Sequence, residues 1–451
     1  MSSSPNTDSP VTANQFALLR QRRFAPFFWT QFCGAANDNI FKFALTVLVT
    51  YHLQLDWLPP NLAGLTIGAL FILPFVLFSA TAGQLADKFD KRTVMVAVKW
   101  FEIAIMGLAS IGLWWGQVEV LLGCIFLMGL HSTLFGPAKY AYLPAHLKAH
   151  ELTGGNGMVE MGTFVAILLG NVLGGALIAW PEVGPQAVAV ACLSVAVLGR
   201  VAVHWVPSTP AHPSPLRIDW NPWRETRRNL AIAREDRRVF RAMLGISWMW
   251  FYGAIFLAQF PSFAKEVLHG DEHVALLLLT LFSIGLGLGS LWCERLSHGQ
   301  VEIGLVPLGA AGMSLFALDI YFAAAQIVPP SIGSWSVHDF LRQPAHLRIV
   351  ADLLGLSVSA GVYSVPLYAL FQSRGRPSHM ARLVAANNLL NALYMVASAL
   401  IAGALVAIGW GVAALFGGLA VANAAMLAWL LWQSPDYAQR CRAWCRQHFA
   451  R

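Results

Sequence analysis

Within the first long apolar stretch of the chain, Asn37, Asp38 and Asn39 are followed one helical turn later by Lys42. An acid can meet a cationic headgroup or a coupling ion, and flanking amides can set its geometry. On a helix, Gln31, Gly34, Asp38 and Lys42 fall along one stripe. Ionisable groups in hydrocarbon cost roughly 2.5–3.5 kcal/mol each on insertion scales, so the stripe is expected to face a bundle interior or an aqueous cavity. Asp38 and Lys42 are also spaced i, i+4 for mutual neutralisation, and both readings stay open. Further along, Lys139 follows a Gly136-Pro137 break, where neighbours or water must satisfy freed backbone groups. There it suits a phosphate, as a mobile point charge. Asn156 and Glu160 stand i, i+4, and Glu160 is expected either to balance Lys139 or to contact the ligand. Asn387, Asn388 and Asn391 offer amides to a cavity or to a neighbouring helix.

Such residues need a membrane bundle to position them. Of the 451 residues, 57% are hydrophobic and 12% charged, and the mean hydropathy is +0.57, beyond what a soluble domain tolerates. At roughly 20 residues per span, the chain reads as an all-α polytopic membrane protein with twelve transmembrane helices in two six-helix bundles. The spans are predicted near 26–53, 62–86, 93–115, 118–137, 155–179, 185–206, 239–264, 273–294, 303–326, 347–371, 381–408 and 409–432. An N-terminal arm (1–25), a basic linker (207–238) and a basic tail (433–451) flank the bundles 26–206 and 239–432. The linker carries Pro207, Pro210, Pro213, Pro215 and Pro222, then Arg224, Arg227, Arg228, Arg234, Arg237 and Arg238. It is expected to end in an amphipathic segment near anionic lipid.

Loops rich in Lys and Arg stay cytoplasmic. That rule puts the arm, the linker, the tail and the loops with Lys88, Lys91, Arg92, Lys139, Lys148, Arg295, Arg374, Arg376 and Arg382 on the cytoplasmic side. Loops with Asp56, Glu119, Glu182, Glu266, Asp271, Glu272 and Asp339 lie opposite, with Lys265 and Arg342 as their basic exceptions. The net charge of +7 is then a topology signal, and no nucleic-acid partner is expected. The polar, Ser-rich start predicts no cleaved signal. Six scattered cysteines imply no disulfide framework. Cys441, Cys445 and His448 share a helix face without a fourth ligand, so neither metal nor cofactor is expected.

Weaker leads read more cheaply as packing. Lys99 with Glu102, near the cytoplasmic end of span three, and Arg348 with Asp352 are spaced for local pairs. His131 suits a satisfied buried imidazole better than a proton carrier. Trp248, Trp250 and Tyr252 suit packing or an interface, with Tyr252 kept as a substrate-facing candidate. The stretch 327–346, with Trp335 and Phe340, reads as a loop.

The halves share a pattern. Gly83-Gln-Leu-Ala-Asp87-Lys88 after span two is echoed by Gly289-Ser-Leu-Trp-Cys-Glu294-Arg295 after span eight. Pro137 near the end of span four is echoed by Pro366 in span ten, and Asn156/Glu160 by Asn387/Asn391. The segment from Gly83 to Arg92 resembles the signature loop of the major facilitator superfamily. That resemblance implies gating roles for Gly83, Asp87, Lys88 and Arg92, and Lys42 is grouped with them as the potential neutraliser of Asp38. The run Thr30 to Lys42, Pro137-Ala-Lys-Tyr140, Asn156-Gly-x-x-Glu160 and Ala385-Ala-Asn-Asn388-Leu-Leu-Asn391 further resemble bacterial lysophospholipid transporters of the LplT type. The second half, including Ser247 to Tyr252 and Gln259-Phe-Pro261, is similar to the version fused to acyltransferase and acyl-carrier-protein synthetase domains.

The resemblance implies a monomeric flippase of the bacterial inner membrane. It would move lysophospholipids from the outer to the cytoplasmic leaflet by alternating access, for reacylation by a separate cytoplasmic acyltransferase. Asp38, Asn37, Asn39, Gln31, Lys139, Glu160, Asn156, Asn387, Asn388, Asn391 and Tyr252 would meet lipid. A proton-coupled exporter of drugs or amphiphiles on the same fold is the alternative, and a membrane anchor for the acyltransferase is a third. No His-x4-Asp and no Gly-Lys dipeptide occur, so acyl transfer and ATP-driven transport lack their chemistry, and an enzyme is not expected.

Overall fold

The computed structural model describes residues 15–53, 57–58, 60–210, 218–330 and 333–449. Asp56, Pro213, Pro215, Arg451 and most of the N-terminal arm lie outside the described residues. The first half comprises α1 (Ala25–Val47), α2 (Pro60–Lys88), α3 (Lys91–Trp115), α4 (Val118–His146), α5 (Leu152–Ile178) and α6 (Gly184–His204). The linker holds α7 (Pro222–Glu235). The second half comprises α8 (Arg237–Ser262), α9 (Glu272–Ser297), α10 (Leu305–Ala324), the single turn α11 (Val337–Phe340), α12 (Pro344–Arg374), α13 (Met380–Ala407) and α14 (Val412–Gln433). The tail forms α15 (Pro435–Phe449).

Eleven of these helices are long and apolar enough to cross a membrane. The twelfth long helix, α1, is not, because Gln31, Asn37, Asp38, Asn39 and Lys42 dilute it. It is held instead by packing between α5 and α6. A Cβ on Gly170 would stand 2.6 Å from the Ala36 carbonyl oxygen, and one on Gly174 2.5 Å from that of Ile40. Small residues let backbones meet without a hydrophobic driving force between helices.

Helix ends follow local chemistry. Asp90 accepts from the Thr93 amide to start α3, and Gly116 at φ 66° ends it. Asn221, Asp236 and Asp271 cap α7, α8 and α9, as short polar side chains do at helix N-termini. One expected boundary is corrected. Span four does not stop at Pro137, since α4 continues through Pro137 and Pro144 to His146. Prolines inside such helices are tolerated where neighbours re-satisfy the freed carbonyls. The stretch 327–346 is also more than a loop: Trp335 pairs its backbone with Gly270, and Phe340 is buried, its ring 4.2 Å from that of His346.

The halves meet in two matching seams. α2 of the first half packs on α13 of the second, and α9 of the second packs on α5 of the first. Each seam joins the second helix of one half to the fifth of the other, as a parallel duplication requires.

Candidate functional site

Between the halves lies a cavity of about 450 Å³. α1 contributes Gln31, Gly34, Asp38, Asn39 and Lys42; α4 contributes His131, Ser132, Gly136, Lys139 and Tyr140; α5 contributes Thr163. Across from them, α8 supplies Trp250, α12 Tyr368, and α13 Asn388, Asn391 and Met395. Phe71, Ile72 and Phe75 of α2 and Ile167 of α5 complete an apolar wall. The lining is lopsided. Its acidic and basic side chains Asp38, Lys42, His131 and Lys139 all belong to the first half, while the second half gives amides and aromatic rings.

Asp38 Oδ2 accepts from the Ser132 hydroxyl at 2.6 Å, and Oδ1 has no hydrogen-bond partner among the described residues. Among the described residues, Lys42 makes no ion pair with Asp38 at the 4.0 Å limit. Its ammonium sits instead 4.2 Å from the centre of the Phe71 ring, in cation–π geometry. Mutual neutralisation across one turn is therefore not the arrangement adopted. Lys139 donates to the Thr163 hydroxyl at 3.3 Å, and Thr163 donates to Gln31 Oε1 at 3.2 Å. The Lys139 ammonium also lies 5.0 Å from the centre of the Tyr140 ring. Of the two readings of Glu160, the ion pair with Lys139 is absent among the described residues. Glu160, buried beside the cavity, accepts from the Tyr140 hydroxyl at 2.9 Å.

Several residues expected to meet the ligand are placed elsewhere. Asn37 turns outward from the cavity and donates to Glu102 Oε1 at 2.8 Å. Asn156 and Gln372 exchange amide hydrogen bonds of 2.8 and 3.0 Å between the halves. The Tyr252 hydroxyl donates to the Met313 carbonyl inside the second half. Asn387 is buried off the cavity with Oδ1 unpartnered. Asn391 lines the cavity while accepting from Ser247 at 2.8 Å. Asn39 lines it with its amide donating to Ala35 O.

Behind the wall lies a cluster the sequence undervalued. Glu102 receives Lys99 at 2.6 Å and faces His131 Nε2 at 3.3 Å. Glu102 is eleven residues into α3, about 16 Å at 1.5 Å per residue. That is mid-depth, not the helix end. Spacing alone found its i, i+3 partner, but Asn37 and His131 arrive from other helices. Likewise Arg348 pairs with Asp319 of α10, at 2.5 and 3.0 Å, in place of Asp352.

Below the cavity the halves are latched. Tyr140 and Tyr368 stack with centroids 5.1 Å apart, and Trp250 donates to the Tyr368 hydroxyl at 3.2 Å. Asn156–Gln372 lies further toward the linker. Beyond it Asp87 accepts from the Ala381 amide and Arg382 Nε, both at 3.0 Å. Gly83 makes this approach possible, since a Cβ there would stand 2.6 Å from that of Ala385. Gln15 donates to Leu291 O and Thr153 to Gln300 O at the same end. Among the described residues, the hydrogen bonds between the halves all lie on this linker side, so that end is closed. Of the other expected gating residues, Lys88 is exposed, Arg92 donates to His204 O within its own half, and Lys42 lies in the cavity. Arg382, read from sequence only as a topology signal, is the basic partner of Asp87 in this latch.

The Major Facilitator Superfamily model matches residues 27–398. The lysophospholipid transporter LplT of Serratia proteamaculans (strain 568) is 27% identical over 375 residues, covering 82% of this chain and 83% of the relative. That of Yersinia pestis (strain Pestoides F) is 27% identical, covering 80% of each. Among solved structures, the human organic anion transporter MFSD10 matches with a TM-score of 0.71 at 14% identity, over 90% of this chain and 99% of that one. The fucose transporter FucP in the outward conformation matches with a TM-score of 0.67 at 12% identity, over 91% and 98%. With its two matched halves, the cavity between them and a linker-side latch built on Gly83 and Asp87, the chain belongs to the Major Facilitator Superfamily.

Proposed function

We propose that the chain moves lysophospholipids across the bacterial inner membrane, from the outer to the cytoplasmic leaflet, by alternating access. The observation that carries this reading is the lopsided cavity. An acid with a free oxygen, Asp38, and two ammonium groups, Lys42 and Lys139, share a chamber walled on another side by Phe71, Ile72, Phe75 and Met395. An amine-and-phosphate headgroup fits the first set, and a single acyl chain fits the second. The names of the relatives above support the same substrate class. Both termini and the linker are cytoplasmic in this reading, which makes the closed end the cytoplasmic one. Lipid delivered there would be reacylated by a separate acyltransferase, with acyl-carrier-protein synthetase activity on that enzyme.

The test uses spheroplasts given labelled lysophosphatidylethanolamine. Reacylated product should form only when this protein and a cytoplasmic acyltransferase are both present. Equal product after deletion of the gene sinks the lysolipid reading, and loss of drug tolerance in the same strain would point to the exporter.

A further inference from the structure

The linker is a strap tied at both ends across the closed gate. At its start, Gln84 of α2 exchanges two hydrogen bonds with the backbone of Asp219, at 2.7 and 3.0 Å. At its end, Glu235 pairs with Arg376, just beyond α12, and Asp236 with Arg374, the last residue of α12, each at 3.1 Å. Between these ties, α7 packs on α13, α2 and α8.

The buried face of α7 carries polar groups that this state leaves unused. Glu225 is fully buried, and among the described residues neither carboxylate oxygen has a hydrogen-bond partner. Arg228 stands 3.9 Å away, beyond hydrogen-bond length. One turn along, Asn229 is 1% exposed with both amide atoms unpartnered. On α13, Arg382 gives Nε to Asp87, while its Nη1 is buried without a partner. Burial pushes the Glu225 carboxyl above the ordinary glutamate range, against the pull of Arg228 and Arg382. A buried carboxylate without hydrogen bonds, its ion-pair partner Arg228 at the 3.9 Å edge of contact, is costly in a native state. This one sits within electrostatic reach of the gate's arginine.

We propose that Glu225 is a gating residue: a second seat for Arg382, with Asn229 beside it, taken up when Asp87 lets go. α7 runs directly into α8, so when the halves part at the linker end the strap travels with the second half. The Gln84–Asp219 tie breaks, and Asp87 withdraws with α2. Arg382, moving with α13 in the same half as the strap, keeps Glu225 within reach and exchanges one carboxylate for the other. The exchange spares the guanidinium an uncompensated stay in the open state. Glu225 acts through Arg382 and is a positioning residue. The inference rests on alternating access and not on which substrate is carried.

Full-length protein with its six native cysteines replaced is spin-labelled at His150→Cys and Ser373→Cys, exposed positions on opposite halves at the linker end. After reconstitution, the label separation reports the fraction of molecules open there. Glu225→Gln is expected to lower that fraction at least fivefold and lower kcat for transport with KM little changed, while raising thermal stability of the closed form. Asp87→Asn is expected to raise the open fraction. A stability change with an unmoved open fraction assigns Glu225 a structural role only and overturns the proposal. Absence of any open population in every variant, Asp87→Asn included, overturns the alternating-access reading along with it. Glu225→Asp, which keeps the charge, should recover most of the open fraction, and failure to do so also counts against the seat.

Discussion

Single side chains divide into those that face the cavity and those that hold its wall, and the two sets should fail differently when changed. Among the described residues, Asp38 keeps one oxygen without a hydrogen bond, and Lys139 holds Thr163 and the face of a tyrosine ring. Asp38→Asn and Lys139→Met should therefore each lower lysolipid transport about tenfold or more, the equivalent of roughly 1.4 kcal/mol of headgroup binding. The folded protein should remain, as checked by elution and melting in detergent. Unchanged transport would move headgroup recognition elsewhere. Glu102 behaves oppositely. Glu102→Gln leaves the Lys99 ammonium buried beside Gly34 and Gly199 without its counter-charge. Breaking one partner of a buried pair costs about 3–5 kcal/mol. A marked drop in melting temperature should result, partly relieved by the double change Lys99→Met/Glu102→Gln. The sequence carried Asp38, Lys42 and Lys139 plainly, because a charge inside an apolar run stands out by itself. It could not show that neighbouring Asn37 points the other way, since adjacent residues differ by about 100° around a helix and which face meets which helix is a tertiary fact.

Elements decide whether the chamber can change access. The seam of α2 on α13 depends on Gly83, where any side chain must displace the Ala385 methyl or the Arg382 backbone. Gly83→Leu should wedge the seam and raise labelling of a cysteine placed at Asn388 by a linker-side, membrane-impermeant thiol reagent several-fold. Labelling equal to that of the parent would show the seam able to absorb the bulk. The signature around Gly83 and Asp87 was legible because it is a local string. Its partner was not, because Arg382 and the α13 N-terminus lie some three hundred residues away. The internal repeat showed two related halves but not that the second helix of one meets the fifth of the other. The reciprocal Asn156–Gln372 amides had no hint either, and Asn156 looked like a ligand residue until its partner was in view. Pro137 misled in a similar way, marking the break beside Lys139 correctly but not the end of α4.

At the scale of the molecule, twelve long helices, six on either side of a basic segment, were readable from hydropathy, charge and proline alone. What hydropathy could not state is that α1 earns its place last. Its polar stripe places Asp38 and Lys42 inside the span, where ionisable groups make unaided insertion costly, yet it is the first of these helices to be synthesised. It rests on Gly170 and Gly174 of α5 and on α6, all made later. During biogenesis α1 should therefore wait at the translocon or the membrane surface until about residue 204 has emerged. Chains truncated after α4 should leave Asn39→Cys open to a membrane-impermeant reagent, and chains extended through α6 should protect it. Protection in the shorter chain would mean that α1 inserts unaided. The chemistry that makes α1 useful to a passenger thus makes the order of manufacture part of the fold, and a substitution in α5 could silence transport by leaving the first helix stranded outside.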